Sequence, residues 1–216
     1  MQATYATSIP LASNSTRPWV SPLLILLSLM LGLSPSASTF AMHHKQSEAK
    51  SQESAQLAYA ESFIDAFYSF DPAQLAPLMA AADESKPRLL YYQGWAEGGN
   101  YIVLERASCA MEEANKVACP VTVQDDPVEA LKTGFNVTDT FHLTFDGETL
   151  VAVDTSSNDQ PIYYEARKWV EANMPEVMSG PCKNRNTEDA TPGECARAMT
   201  KGYAAYYEAL IAPAKP

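Results

Sequence analysis

VTDTFHLTFDGETLVAVDT, residues 137–155, decides the fold class. Two alternating runs meet at Asp146-Gly147. Asp-Gly between such runs is a strong short-range hairpin signal, because the tight turn that matches strand twist needs residues tolerant of the left-handed backbone. The flanking strands read as 135–145 and 148–155. In the first, Phe141, Leu143 and Phe145 share one face while Thr140, His142 and Thr144 share the other. That is the pattern of an antiparallel sheet covered on one side.

Upstream, residues 88–95 (RLLYYQGW), 101–111 and 117–124 also read as strands, the first closed by Gly98-Gly99-Asn100. A turn centred on Ala114 sets Cys109 opposite Cys119. Opposed residues in a ladder lie about 4.5–5.5 Å apart at Cα, a span that a disulfide bridges. Before the strands, residues 55–70 predict a helix with Tyr59, Phe63, Phe67 and Phe70 on one stripe and Leu57, Ala60 and Ile64 beside it. Four rings on one face imply a broad surface to cover, such as a curved sheet. Asp71-Pro72 restarts a short helix, with Asp71 as cap, Pro72 in the first turn and Gln74 at the capping-box position. After the strands, 161–173 predicts a helix. A Pro-, Gly- and Asn-rich loop over 175–193 carries Cys182, and a last helix over 194–210 begins with Cys195.

The four cysteines, Cys109, Cys119, Cys182 and Cys195, admit three pairings, of which locality favours Cys109–Cys119 and Cys182–Cys195. No pair has CxxC spacing, which argues against a thioredoxin-like centre or a zinc ribbon. Disulfides imply an oxidising compartment, and residues 1–41 agree. Arg17 is followed by an apolar run over 19–33 and by the small residues Ser34-Pro35-Ser36-Ala37-Ser38, the order of a secretory signal peptide cut after Ser38 or Ala41. The run holds a proline and is shorter than the roughly 20 residues of a span. The mature chain is therefore expected to be exported, to a bacterial periplasm or medium, with no stable membrane span. Residues 42–54 are polar and aperiodic and read as a flexible spacer. The SxxK match at Ser47–Lys50 falls there and reads as chance. The expected organisation is a signal peptide (1–41), the spacer (42–54), an α+β domain (55–160) and a helical extension (161–216). The net charge of −11, which becomes −12 once Arg17 is removed, argues against nucleic acid and anionic membrane surfaces.

Two N-terminal helices, the first rich in aromatics, followed by antiparallel strands ending in an Asp-Gly hairpin, resemble the nuclear transport factor 2-like superfamily over about residues 55–155. The segment 137–155 is similar to the strand pair near the end of SnoaL-like members. The resemblance implies an α+β fold in which a curved antiparallel sheet wraps the N-terminal helices into a cone with an apolar pocket. It implies a small apolar ligand, a homodimer in many members, and in some a lyase or isomerase that uses a pocket Asp or His. The helices after Pro161 and their cysteine loop extend beyond that family's usual end.

Several residues carry candidate chemistry. His142, within the folded region, is a candidate general base. Asp139 and Asp154 lie on the paired strands, where a carboxylate facing the interior would have a raised pKa and could take a proton. Tyr91, Tyr92 and Trp95, with Tyr59, Phe63 and Phe67 of the first helix, are the expected pocket lining. Asp125-Asp126 and Ser156-Ser157-Asn158-Asp159 are oxygen-rich loops that lack the spacing of a known calcium loop and read as turn and capping chemistry. Cleavage after Ala41 would put His44 third in the mature chain, where amine, amide and imidazole nitrogens can wrap Cu(II) or Ni(II). Asn136-Val137-Thr138 matches a glycosylation sequon, given little weight at a strand start. The residues imply no cofactor. The expected function is a binding domain for a small molecule or partner. The alternatives are a SnoaL-like lyase or isomerase and a structural envelope protein.

Overall fold

The computed structural model describes residues 37–212 except 186 and 188, with side chains from residue 46 onward. The expected signal sequence falls largely on residues outside this range, as does the His44 side chain. The fold is α+β, with a five-stranded antiparallel open sheet, helices and two disulfides. Among the described residues no helix is long and apolar enough to cross a membrane.

Helix α1 runs Ala37–Tyr68. It includes the segment expected to be a flexible spacer, and the contacts give the reason. Gln52 donates to Asn115 Oδ1 at 2.8 Å, and one turn later the buried Gln56 donates to the Gly147 carbonyl at 2.6 Å and to Asn115 Oδ1 at 3.1 Å. The polar face of the helix is thus tied to two hairpin turns. Helix α2 is Pro72–Leu78, capped by Asp71, which accepts from Ala73 N at 2.9 Å. Gln74 bonds the Asp71 carboxylate at 3.2 Å, while Ser69 Oγ takes the Asp71 backbone N–H.

Residues 88–95 are not a strand. They lie within helix α3, Lys86–Gly98. Their apolar residues come as adjacent pairs, Leu89-Leu90 and Tyr91-Tyr92, which no period of two can place on one face. At helical spacing Leu89, Gln93 and Ala96 form the buried side. Gln93 is 1% exposed and donates to the carbonyls of Ala66 and Phe67, both at 3.0 Å, locking α3 to the end of α1. Gly94 and Gly98, four apart, let another helix approach. A Cβ on Gly98 would stand 2.2 Å from Gly193 Cα, and one on Gly94 2.5 Å from Pro192 Cγ.

The strands are β1 (Ile102–Arg106), β2 (Ala110–Glu113), β3 (Lys116–Gln124), β4 (Val137–Asp146) and β5 (Thr149–Ser157). The sheet order is β1-β3-β4-β5, with β2 also on β3. The β2–β3 register pairs Ala110 with Ala118, so Cys109 and Cys119 face each other one step on, bridged at a Cα separation of 4.3 Å. The expected hairpin forms, with its turn one residue later than read, at Gly147-Glu148, and an irregularity between Thr144 and Phe145. Asp146 pairs with Thr149, and Gly147 has φ +59°. Along β3 and β4 burial alternates residue by residue, with Val117, Val121, Val123, Phe141, Leu143 and Phe145 inward. The aromatic stripe of α1 covers this face. The Phe141 ring centroid lies 4.7 Å from that of Phe67 and 6.1 Å from that of Phe63, and Tyr59 meets Phe145 at 5.8 Å.

A one-turn helix α4 (Asp126–Glu129) leads out of β3. Helices α5 (Pro161–Asn173), α6 (Pro175–Ser179) and α7 (Pro192–Tyr206), with a π-helical turn at Tyr207–Ile211, build a second apolar cluster around Val170, Met199 and Tyr203. The Cys182–Cys195 bridge pins the loop before α7 to its first turn, at a Cα separation of 4.6 Å. Closing a loop of this length stabilises by roughly 3 kcal/mol in the chain-entropy account.

Candidate functional site

The two clusters leave a half-open cleft between them, about 470 Å³ in volume. That lies within the range of small-molecule pockets. Helix α3 contributes Arg88, Tyr91, Tyr92 and Trp95. The sheet contributes Asp139 and the end of β5, Thr155 to Ser157. Tyr101 and Asp125 come from the chain on either side of β1 and β3. Asp159, Tyr163, Tyr164 and Arg167 come from the start of α5 and its lead-in. Met199 and Tyr203 of α7 close the far wall, with Arg185 from the disulfide loop.

At the base, Tyr92 donates its hydroxyl to Asp139 Oδ2. Asp139 has the same strand parity as Phe141, Leu143 and Phe145, which turns a carboxylate into the covered face and leaves it 4% exposed. Burial raises its pKa to about 6. The Tyr92 bond opposes that rise, and the nearby Asp159 adds to it. Asp125 is 3% exposed and caps α4, accepting from Val128 N at 2.8 Å. Burial lifts it to about 7 against that bond, with Asp139, Asp159 and Asp126 contributing in the same direction. Burial also pushes the phenols of Tyr92, Tyr101 and Tyr163 well above their ordinary value. Among the described residues neither Asp125 nor Asp139 forms an ion pair. Tyr203 is fully buried, and among the described residues its hydroxyl makes no hydrogen bond. Burial pushes its phenol up to about 12, and the neighbouring Tyr163 hydroxyl opposes that rise, as does the Arg167 cation.

The sequence-predicted candidates divide. Asp139, Tyr91, Tyr92 and Trp95 line the cleft. Phe63 and Phe67 do not. They are fully buried in the sheet core, because their stripe is spent covering Phe141. Tyr59 is likewise outside, its hydroxyl bonded to the Leu78 carbonyl at 2.6 Å. Asp154 points outward, its side chain 80% exposed and 3.5 Å from Arg88 Nη2. His142 lies on the opposite sheet face from Asp139, between Glu112 Oε2 and Ser156 Oγ, each at 2.9 Å. Carboxylate, imidazole and hydroxyl stand in the order of a nucleophile triad. His142 and Glu112 lie outside the cleft, however, and this is a cross-strand polar ladder. The second oxygen-rich loop is occupied by turn bonds. Ser157 Oγ donates to Asp159 Oδ2 at 2.6 Å, and Asn158 Oδ1 accepts from Thr138 N at 2.7 Å. Among the described residues no three His, Cys, Asp or Glu side chains are grouped to hold a metal ion.

Sequence reasoning missed Tyr101, Tyr163, Tyr203 and the arginines as site residues. Asp125 reads in the sequence only as part of an oxygen-rich turn and capping loop. No family model matches this chain, and no curated protein or solved structure is similar to it at a significant level.

Proposed function

We propose that the protein is a binding domain for a small molecule that occupies the cleft between α3, the sheet end and helices α5 and α7. One observation carries this reading. Seven aromatic side chains converge on a cavity of about 470 Å³ whose base holds a buried carboxylate in a hydrogen bond with a phenol. Burying charge without a counter-ion is costly, so such a base reads as a feature retained for a ligand. The fold is proposed to be of the nuclear transport factor 2-like type. The support is the aromatic stripe of α1 seated on the apolar face of the antiparallel sheet. The two disulfides are consistent with an extracellular or periplasmic location. A homodimer is proposed through edge strand β1, whose Ile102 and Leu104 are about half exposed.

The test is a fragment screen by saturation-transfer NMR on the wild type and on Ser157→Trp, which fills the cleft from its exposed wall. Fragments bound by the wild type and lost by the variant support the reading. Fragments bound equally by both, or none bound by either, overturn it.

A second reading, a lyase or isomerase, is favoured by the pKa of Asp139 near 6 beside the Tyr92 donor. A general base works best when its pKa lies near the operating pH. Asp139 would take a proton from carbon while Tyr92 stays in place as a hydrogen-bond donor. Deuterium wash-in to carbonyl compounds bound by the wild type, abolished in Asp139→Asn, supports it. No exchange in either form removes it.

A further inference from the structure

Apart from Arg88, which is held at β5 by Thr155, the Val153 carbonyl and Asp154, the charges around the cleft divide into two groups. Asp139 stands on β4, Asp125 at the end of β3 and Asp159 just past β5, so all three acids gather at one end of the sheet. Arg167 stands on α5 and Arg185 in the disulfide loop, both on the helical side. Two of the tyrosines register this division, while Tyr164 and Tyr203 between the groups feel both an acid and an arginine. Tyr101 is perturbed by Asp125, Asp139 and Asp159 and by no cation, whereas Tyr91 is perturbed by Arg185 and Arg167 and by no acid. At the basic end Tyr203, fully buried, presents a hydroxyl that nothing in the described protein satisfies. A buried donor without a partner is costly and marks where a ligand acceptor would sit.

We infer that the ligand is a small zwitterion, with an ammonium group held among the acids and the tyrosine faces and a carboxylate or phosphate turned toward Arg167, Arg185 and the Tyr203 hydroxyl. The inference rests on the cleft being a ligand site. The physics at each end is ordinary. An organic cation gains from ring faces and from carboxylates that have no other counter-ion. Guanidinium groups and a phenol donor suit an anionic group. A cation alone would leave the Tyr203 hydroxyl unsatisfied, and an anion alone would leave the buried acids so.

Calorimetry at pH 8 on the full exported domain tests this with three probes of similar length. γ-Butyrobetaine carries both charges, butyltrimethylammonium only the cation and valerate only the anion. A fourth probe, neutral 4-ethylphenol, fits the aromatic walls without charge. The expected result is γ-butyrobetaine binding at least tenfold tighter than either singly charged probe. Asp139→Asn weakens γ-butyrobetaine and butyltrimethylammonium at least tenfold and leaves valerate unchanged. Arg185→Gln weakens γ-butyrobetaine and valerate and leaves butyltrimethylammonium unchanged. If 4-ethylphenol binds and is excluded by Ser157→Trp while γ-butyrobetaine binds no better, the zwitterion falls and the cleft remains a ligand site. If none of the four binds, both fall.

Discussion

Replacing Asp139 by Asn should make the protein more stable at pH 8 and barely change it at pH 4. Asp139 is 4% exposed, and its pKa is raised from the ordinary 3.8 to about 6. At 1.36 kcal/mol per pH unit, ionising it inside the fold costs about 3 kcal/mol relative to ionising it in the unfolded chain. The sign follows from the raised folded value. The carboxylic acid's contribution is fully present below pH 4 and is lost as the pH climbs through 6. An asparagine side chain keeps an oxygen for the Tyr92 hydroxyl and never ionises. The stability difference between variant and wild type should therefore grow from near zero at pH 4 to about 3 kcal/mol in favour of the Asp139→Asn variant at pH 8. Asp125, pushed up to about 7 by burial with the Asp139 charge adding to it, broadens the upper end of the change. Urea unfolding at half-unit steps of pH measures it directly. A difference that stays flat within about 0.5 kcal/mol across the series, or that favours the wild type as the pH rises, would refute the placement of Asp139 on the covered face.

Three other outcomes follow from the same packing. Gly98→Ala should destabilise by about 1–3 kcal/mol, because its Cβ would overlap the Gly193 backbone and helix packing has no slack there; thermal unfolding checks it. Gln93→Ala should cost about 1–3 kcal/mol by leaving the carbonyls of Ala66 and Phe67 short of a donor, with no change in cleft binding. His142→Gln should change stability by less than about 1 kcal/mol, since the residue stands on the less covered sheet face; urea unfolding beside the wild type decides it.

How much of this was legible in the chain depended on whether the signal was local. The hairpin near Asp146-Gly147 and the Cys109–Cys119 clasp are both set within a few residues; the clasp formed in the expected register, while the hairpin turn moved one residue on, to Gly147-Glu148. Asp139 was legible for the same reason, since its parity with Phe141 places it inward. Helix α3 is hard to read because Leu and Tyr are at home in strands as well as helices, although the adjacent pairs Leu89-Leu90 and Tyr91-Tyr92 fit no two-residue alternation. A second cue, the four-residue spacing of Gly94 and Gly98, has meaning only once Pro192 and Gly193 are known to pack there. The cleft was only half visible. Tyr91, Tyr92 and Trp95 cluster in sequence, but Tyr101, Tyr163 and Tyr203 arrive from three separate segments, and no local pattern links them. The aromatic stripe of α1 is legible in the sequence as the cover of a sheet. Covering it so closely is what denies Phe63 and Phe67 to a pocket.

Proton–carbon spectra of protein labelled at the tyrosine rings, recorded while γ-butyrobetaine or 4-ethylphenol is added, test the cleft most directly. Signals of Tyr92, Tyr101, Tyr163 and Tyr203 should move together and saturate, while Tyr59, held against Phe145, stays fixed. Motionless signals from those four rings with either compound, or shifts confined to Tyr59, would contradict a ligand site between the sheet end and the C-terminal helices.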